Sequence, residues 1–177
     1  LYIMRDSVEM TAVQRGFGQG WAAERPFFNT PLPAHGFAAA DDFVFVCDPT
    51  PFDRHYVHDR YGIVLSSDGL GTEPVQDYYW SSANRKVYYM DSPYLDDLRA
   101  RTVNTDGTLG QITYALSEPG TFGVPIRVHP DGSVLVSAPG HVYDANDLQT
   151  YVGSLANSIL DAVWRSDHLV TIRQQAS

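Results

Sequence analysis

Short apolar segments joined by tight polar turns recur along this sequence. Four copies are clear, at Phe37–Val46, Tyr78–Tyr89, Ile126–Val136 and Ala162–Ile172. The segments are rich in Val, Ile, Tyr, Phe and Thr, residues that suit the half-buried surface of a pleated sheet. The pattern therefore predicts four antiparallel hairpins, each made of two strands and a turn.

The copies recur at a regular distance. Aligning Tyr2, Val44, Val87, Val134 and Leu169 gives spacings of 42, 43, 47 and 35 residues. Repeats built from one four-stranded sheet have a period of about 40–50 residues. We therefore expect one such sheet per interval, with a trimmed connection in the last. The predicted repeats lie near residues 1–42, 43–86, 87–133 and 134–173 of a single domain spanning 1–177.

Weaker segments between the hairpins supply the remaining strands of each sheet. The sequences Pro130-Asp131-Gly132 and Thr105-Asp106-Gly107 mark turns, because glycine accepts the positive φ that tight hairpins demand. Eleven prolines and fourteen glycines leave little room for long helices. The prediction is an all-β fold of about four consecutive four-stranded antiparallel sheets.

These segments resemble a known class of repeat protein. The hairpin Ile126–Val136 looks like the inner-strand hairpin of WD-repeat, YVTN-type and related bacterial propellers. His141–Asp144, followed by Leu148–Leu155, looks like their outer strands, although the Gly-His and Trp-Asp signature of true WD repeats is absent. The resemblance implies a β-propeller, whose sheets, called blades, close into a ring of about 4–8. Because the first copy lacks an inner strand and the last stops after Ile172, we expect part of a larger ring, completed by further blades or by a second copy.

Charge and composition narrow the function classes. The net charge is −9, and 11 of the 12 basic residues are arginine without forming a basic stripe, which argues against nucleic-acid binding. No apolar run approaches the roughly 18 residues of a membrane span. The single cysteine, Cys47, excludes an intramolecular disulfide and is predicted to be a buried strand residue. The compartment stays open, with an extracellular or periplasmic location as the hypothesis.

Polar residues three positions before equivalent inner-strand residues form one candidate site. They are His35, Asp77 and Asp161, which the resemblance places at the mouth of a propeller channel. One interpretation is a site for Ca²⁺, another divalent cation or a polar ligand, and hence a metal-dependent lactonase or hydrolase. The metal-binding set of gluconolactonase-type propellers, however, cannot be matched here residue by residue. The other interpretation is that the carboxylates accept hydrogen bonds from backbone amides at the strand entry.

A second candidate is a polar segment predicted to be a loop between two strands. It contains Asp53, His55 and His58, and a comparable loop with Tyr94 follows in the next repeat. Tyrosine is enriched at protein interfaces, so we expect a partner surface if both loops lie on one face. With no nucleophile motif present, the leading hypothesis is a non-catalytic recognition scaffold without a cofactor. Its ligand would be a protein or another surface.

Overall fold

The fold is known from a computed structural model, and every regular element among the residues it describes is a β-strand. The prediction of an all-β fold is confirmed, and no helix in the described ranges is long and apolar enough to cross a membrane. The structure describes residues 2–5, 9–12, 25–29, 36–48, 54–69, 75–91, 97–115 and 123–173.

The strands form five antiparallel sheets whose members follow one another in chain order. The first sheet contains β1 (Tyr2–Arg5), β2 (Glu9–Ala12) and β3 (Arg25–Asn29). The second contains β4 (Gly36–Ala40), β5 (Phe43–Asp48), β6 (Arg54–Asp59) and β7 (Val64–Gly69). The third contains β8 (Val75–Ser81), β9 (Lys86–Asp91), β10 (Asp97–Val103) and β11 (Leu109–Tyr114).

The last two sheets complete the described chain. The fourth sheet contains β12 (Gly123–Val128), β13 (Val134–Ala138), β14 (His141–Asp144) and β15 (Tyr151–Ser154). The fifth contains β16 (Ile159–Arg165) and β17 (His168–Arg173). The described residues thus hold three complete four-stranded sheets and two partial ones, in agreement with the prediction of about four.

The second, third and fourth sheets each begin one strand earlier than the repeat bounds suggested. Those bounds followed Val44, Val87 and Val134, which lie in the second strands β5, β9 and β13. The predicted hairpins themselves are correct, since β4 pairs with β5, β8 with β9, β12 with β13 and β16 with β17. The difference arises because Val44, Val87 and Val134 mark second strands, whereas each of these sheets starts at the strand before.

The first strands of successive sheets lie side by side. Strand β8 contacts β4 and β12, and β12 contacts β16. Apolar clusters fill the spaces between the sheets: Phe45 and Val57 pack with Tyr89 of the next sheet, and Tyr88 packs with Leu135 of the sheet after that. Full burial of such a side chain contributes about 1.5–3 kcal/mol, so the contacts between sheets form the main core.

Two glycine turns fit closely against the preceding sheet. Gly107 (φ +84°) and Gly132 (φ +76°) occupy the left-handed region. A Cβ at Gly107 would lie 2.8 Å from Leu65 Cδ1, and one at Gly132 would lie 3.0 Å from Ala83 Cβ. Glycine is therefore required at both positions by the backbone conformation and by the space available.

Candidate functional site

Two of the predicted polar residues lie at irregular points of first strands. The pairing of β8 shifts register between Gln76 and Tyr79, and that of β16 shifts between Ile159 and Asp161. Asp77, inside the first irregularity, has a φ of +49°, a conformation that aspartate tolerates better than most residues. Such bulges re-aim side chains, and both carboxylates are directed at the neighbouring strand β12.

Asp77 connects the third sheet to the fourth. Its Oδ2 accepts a hydrogen bond of 2.9 Å from the backbone N–H of Ile126 and lies 3.5 Å from Nη1 of Arg127. The Asp77 side chain is 29% exposed and that of Arg127 is 25% exposed. A backbone donor at the edge of β12 is thereby satisfied by a carboxylate from the preceding sheet.

Arg127 connects the fourth sheet to the fifth. Its Nη2 donates to Oδ1 of Asp161 at 2.6 Å, and its Nε donates to the carbonyl oxygen of Ala162 at 2.8 Å. Its Nη1 also donates to the carbonyl oxygen of Ile126 at 2.8 Å. One guanidinium group therefore lies between two carboxylates and links first strands from three successive sheets.

These hydrogen bonds and ion pairs of Arg127 with Asp77, Asp161 and Ala162 are structural contacts between sheets, and we call them the Arg127 tie. Oδ1 of Asp161 also accepts the N–H of Ala162 at 2.7 Å, so both carboxylates accept backbone amides as well as the arginine. These contacts correspond to the second of the two interpretations of the sequence. His35, the third predicted member, lies outside the described residues. Within the described ranges, no three His, Cys, Asp or Glu side chains are grouped so as to hold a metal ion.

The structure differs from the sequence prediction at His55 and His58. Both belong to strand β6 and are only 2% and 3% exposed, so neither contributes to an exposed loop. They alternate to opposite faces: His55 contacts the buried rings of Tyr78 and Tyr89, whereas Nδ1 of His58 lies 3.2 Å from the carbonyl oxygen of Gly62. Burial lowers the pKa of His58 from its usual value. The two rings lie on different faces because residues three apart in a strand point in opposite directions.

The other two predicted surface residues, Asp53 and Tyr94, lie outside the described residues. The segment with Asp53 joins the second and third strands of its sheet, β5 and β6. The segment with Tyr94 likewise joins second and third strands, β9 and β10. Their role as partner-surface residues stays a prediction.

Sequence reasoning missed Arg127, the residue that contacts both Asp77 and Asp161. The signal was an arginine flanked by Ile126 and Val128 in an otherwise apolar first strand. A charged residue at such a position is rarely buried unless it is paired. Finding its partners required the packing of three sheets, because Asp77 and Asp161 lie 50 and 34 positions away.

A second polar region lies at one end of the sheets. In a four-stranded meander, the turns between strands one and two and between strands three and four share an end. We call this end the turn face: residues 41–42, 59–63, 82–86, 104–108, 129–133, 144–150 and 165–168. These turns hold eight aspartates against four Arg and Lys residues, so this end of the structure is acidic.

Local hydrogen bonds orient two of these aspartates, Asp106 and Asp131, and favour their ionised form. Oδ1 of Asp131 accepts the N–H and the hydroxyl of Ser133, which, with His129, lowers the pKa of Asp131 to about 2. Asp106 makes the same pair of bonds with Thr108, and they lower the pKa of Asp106. The turn face therefore presents oriented carboxylates that stay negative at neutral pH.

Comparison with known proteins establishes the fold. No protein-family model matches the sequence, and no curated protein does. Among solved structures, KlHsv2 with loop 6CD replaced by a Gly-Ser linker is 14% identical, with a TM-score of 0.63 over 97% of this chain and 58% of that one. Sqt1 of Saccharomyces cerevisiae is 10% identical, with a TM-score of 0.63 over 93% and 51%. The C-terminal WD40 domain of Sif2 is 12% identical, with a TM-score of 0.57 over 94% and 60%.

The chain has a β-propeller fold. Its five sheets are complete or partial blades, and β4, β8, β12 and β16 are the inner strands of successive blades. The tie through Arg127 thus joins three consecutive blades of the propeller at their inner strands. The chain spans between 51% and 60% of the length of these solved propellers.

Proposed function

We propose that this propeller is a non-catalytic recognition scaffold whose ligand is a protein with a basic surface. The main support is the occupation of Asp77 and Asp161, the inner-strand carboxylates available for chemistry, by Arg127 and by backbone amides. Carboxylates held in this way stabilise the position of the blades and are poorly placed to bind a metal or move a proton. A metal-dependent lactonase or hydrolase would have to displace the arginine, which makes that alternative less favourable.

The turn face is the surface we assign to the partner. Asp106, Asp131 and Asp147 are exposed there, and each carboxylate is held in a defined orientation by the backbone N–H that donates to it from two positions further along the chain. Side chains that are already ordered lose little entropy on binding. An acidic surface also accelerates encounter with a cationic partner. The segments with Asp53 and Tyr94, predicted from the sequence to form a partner surface, are the alternative.

Selection from a random peptide display library tests this proposal. We expect the immobilised chain to select peptides rich in Lys and Arg. Asparagine keeps the Oδ1 that accepts the backbone N–H at each turn, and at position 147 its amide nitrogen can donate to the Thr150 hydroxyl that now donates to Asp147. The triple variant Asp106→Asn, Asp131→Asn and Asp147→Asn should therefore fold normally. It should bind the selected peptides about tenfold more weakly, which corresponds to about 1.4 kcal/mol.

The matched control is Tyr94→Ala, which changes the alternative surface and leaves the turn face intact. Fluorescence anisotropy with one labelled selected peptide should give nearly the same affinity for this control and for the unaltered chain. Loss of binding in Tyr94→Ala and not in the triple variant would contradict the assignment to the turn face. Failure to select any peptide sequence above background would contradict the scaffold proposal itself.

A further inference from the structure

The turn between β6 and β7 carries an exposed apolar run at the edge of the turn face. Tyr61, Ile63, Val64 and Leu65 lie within five consecutive positions and are 68%, 61%, 49% and 41% exposed. We call these four residues the outer-turn patch. Single apolar side chains are normal at a surface, whereas a contiguous group of large ones marks a contact with another molecule. The patch therefore has the character of a contact surface.

A β-bulge contributes to this exposure. Val57 pairs with Ser66 and His58 pairs with Val64, so Leu65 is an extra residue in β7. Bulges re-aim the side chains of the strand that contains them. Strand β7 is also the outermost strand of the second sheet. Val64 and Leu65 are both exposed there, although neighbours in a regular strand alternate between faces.

Hydrogen bonds fix the shape of the turn before any partner binds. Oδ1 of Asp59 accepts the backbone N–H groups of Tyr61 at 2.8 Å and of Ile63 at 2.9 Å. The N–H of Asp59 donates to the carbonyl oxygen of Ile63 at 2.9 Å, and that of Gly62 donates to the carbonyl oxygen of Asp59 at 3.0 Å. A turn held in this way loses little conformational entropy on binding, so its side chains are suited to anchor a partner.

The outer-turn patch adjoins a turn of the next sheet. Leu65 packs beside Gly107, where an added Cβ would lie 2.8 Å from Leu65 Cδ1. The hydroxyl of Ser66 donates to the carbonyl oxygen of Gly107 at 3.4 Å. The patch and turn 104–108 therefore form one surface that extends across two blades.

The surroundings of the patch are negatively charged. Its own turn and the adjoining turns 41–42 and 104–108 have a net charge of −3, from one arginine and four aspartates: Arg60, Asp41, Asp42, Asp59 and Asp106. Arg60 lies 3.5 Å from Asp42, and because both side chains are mostly exposed the pairing is weak. An apolar patch within an acidic surface is complementary to a partner whose apolar side chain is accompanied by Lys or Arg.

Turn 104–108 also borders an open recess next to the inner turn of the same sheet. The recess has a volume of about 650 Å³, and its lining includes Asp106, Asn84 and Asn104. Arg85 lines it as well, but lies 3.6 Å from Asp41, which offsets part of its charge. A basic side chain of the partner therefore has room beside the Asp106 carboxylate.

We propose that the outer-turn patch is the apolar anchor site of the turn face, and that it binds a protein segment in which a large apolar side chain is flanked by Lys or Arg. This inference rests on the proposed function and adds a contact that the charge of the turn face does not predict. Tyrosine is among the residues that dominate binding at interfaces. The affinity contributed by Tyr61 and Ile63 should persist at high salt, whereas salt screens the contribution of the aspartates.

The peptides selected against the immobilised chain test this inference. We expect them to contain a large apolar residue next to Lys or Arg. In fluorescence anisotropy, the variant Tyr61→Ser with Ile63→Ser should bind a selected peptide about tenfold more weakly, both at about 0.15 M and at about 0.5 M salt. The loss caused by the triple aspartate variant should shrink over the same range. The turn should keep its shape, because Asp59 accepts backbone N–H groups that both serines retain.

The matched control is Tyr151→Ser with Val152→Ser. It removes a similarly exposed apolar pair, 51% and 59% exposed, from β15 beside another acidic turn. Its affinity for the selected peptide should equal that of the unaltered chain, and all variants should keep the same circular dichroism spectrum. A peptide with a benzophenone in place of its apolar residue should crosslink to residues 61–65 or 104–108.

The outcomes separate this inference from the proposed function. Weaker binding in the triple aspartate variant, with unchanged binding in Tyr61→Ser, Ile63→Ser, would overturn the anchor site and leave the proposed function standing. An equal loss in the Tyr151→Ser, Val152→Ser control would also overturn the anchor site, as would selected peptides that contain Lys and Arg without an apolar residue. Selection of no peptide at all would overturn both.

Discussion

Removal of the Arg127 guanidinium is the most direct test of how the blades are held together. The substitution Arg127→Met keeps most of the apolar stem and deletes the group that binds Asp161, Ala162 and Ile126. We expect the variant to fold and to lose stability, because the contact areas between the sheets are unchanged while their polar tie is lost.

The size of the effect follows from the exposure of the partners. Hydrogen bonds that involve a charged group contribute about 1.5–3 kcal/mol when they are shielded from water. The Asp161 side chain is 53% exposed, so its ion pair with Arg127 is screened and adds at most about 1 kcal/mol. The two carbonyl contacts are better shielded, since the Arg127 side chain is only 25% exposed. Together these contacts suggest a loss of about 2–3 kcal/mol.

Urea unfolding at fixed protein concentration measures this loss. With a slope of about 2 kcal/mol per molar urea, the midpoint should fall by about 1–1.5 M. Trp164 is a suitable fluorescent reporter, since its indole N–H lies 3.4 Å from the carbonyl oxygen of Arg127. The control Arg165→Met removes an exposed arginine from the neighbouring fifth sheet and should change stability by less than about 0.5 kcal/mol.

A double-mutant cycle isolates the ion pair. Asp161→Asn combined with Arg127→Met should give a coupling energy of about 0.5–1 kcal/mol. A change below about 0.5 kcal/mol for Arg127→Met alone would refute the tie as a stabilising element. Apolar packing and the remaining hydrogen bonds, such as the one from the Ile126 N–H to Asp77, would then account for the contact between these blades.

Two further predictions concern backbone geometry and pH. Gly132→Ala should lower the free energy of unfolding in urea by about 1–3 kcal/mol, because the φ of Gly132 is +76° and the added Cβ would lie 3.0 Å from Ala83. The control Gly36→Ala, whose Cβ would lie 3.4 Å from Tyr78, should lower it clearly less. Stability should also fall as the pH drops below 6.5, because burial lowers the pKa of His58 in the folded chain, whereas the unfolded chain binds the proton near 6.5. Between about pH 8 and about pH 5.5, the urea midpoint should fall less in His58→Gln than in the unaltered chain. An equal fall in the two proteins would contradict the role of His58 in the pH dependence.

Local sequence was sufficient to predict the strands and their immediate pairing. Val, Ile, Tyr and Phe beside glycine-containing turns define hairpins over short distances, so Ile126–Val136 and Ala162–Ile172 could be paired without knowledge of the rest of the fold. The regular spacing of these hairpins was sufficient for the all-β repeat. Asp77 and Asp161 could be identified as equivalent positions for the same reason.

The tertiary structure determined which contacts Asp77 and Asp161 make. The binding of both aspartates by Arg127 depends on which inner strands become neighbours, and this order is set by the stacking of whole sheets. The burial of His55 and His58 also depends on sheet stacking, because a polar segment between two apolar strands looks like a loop until β6 is covered on both faces. Periodicity along a chain reports which residues share one face of a strand. It carries no information about which element covers that face, and this determines whether a polar residue is a structural contact or part of an exposed surface.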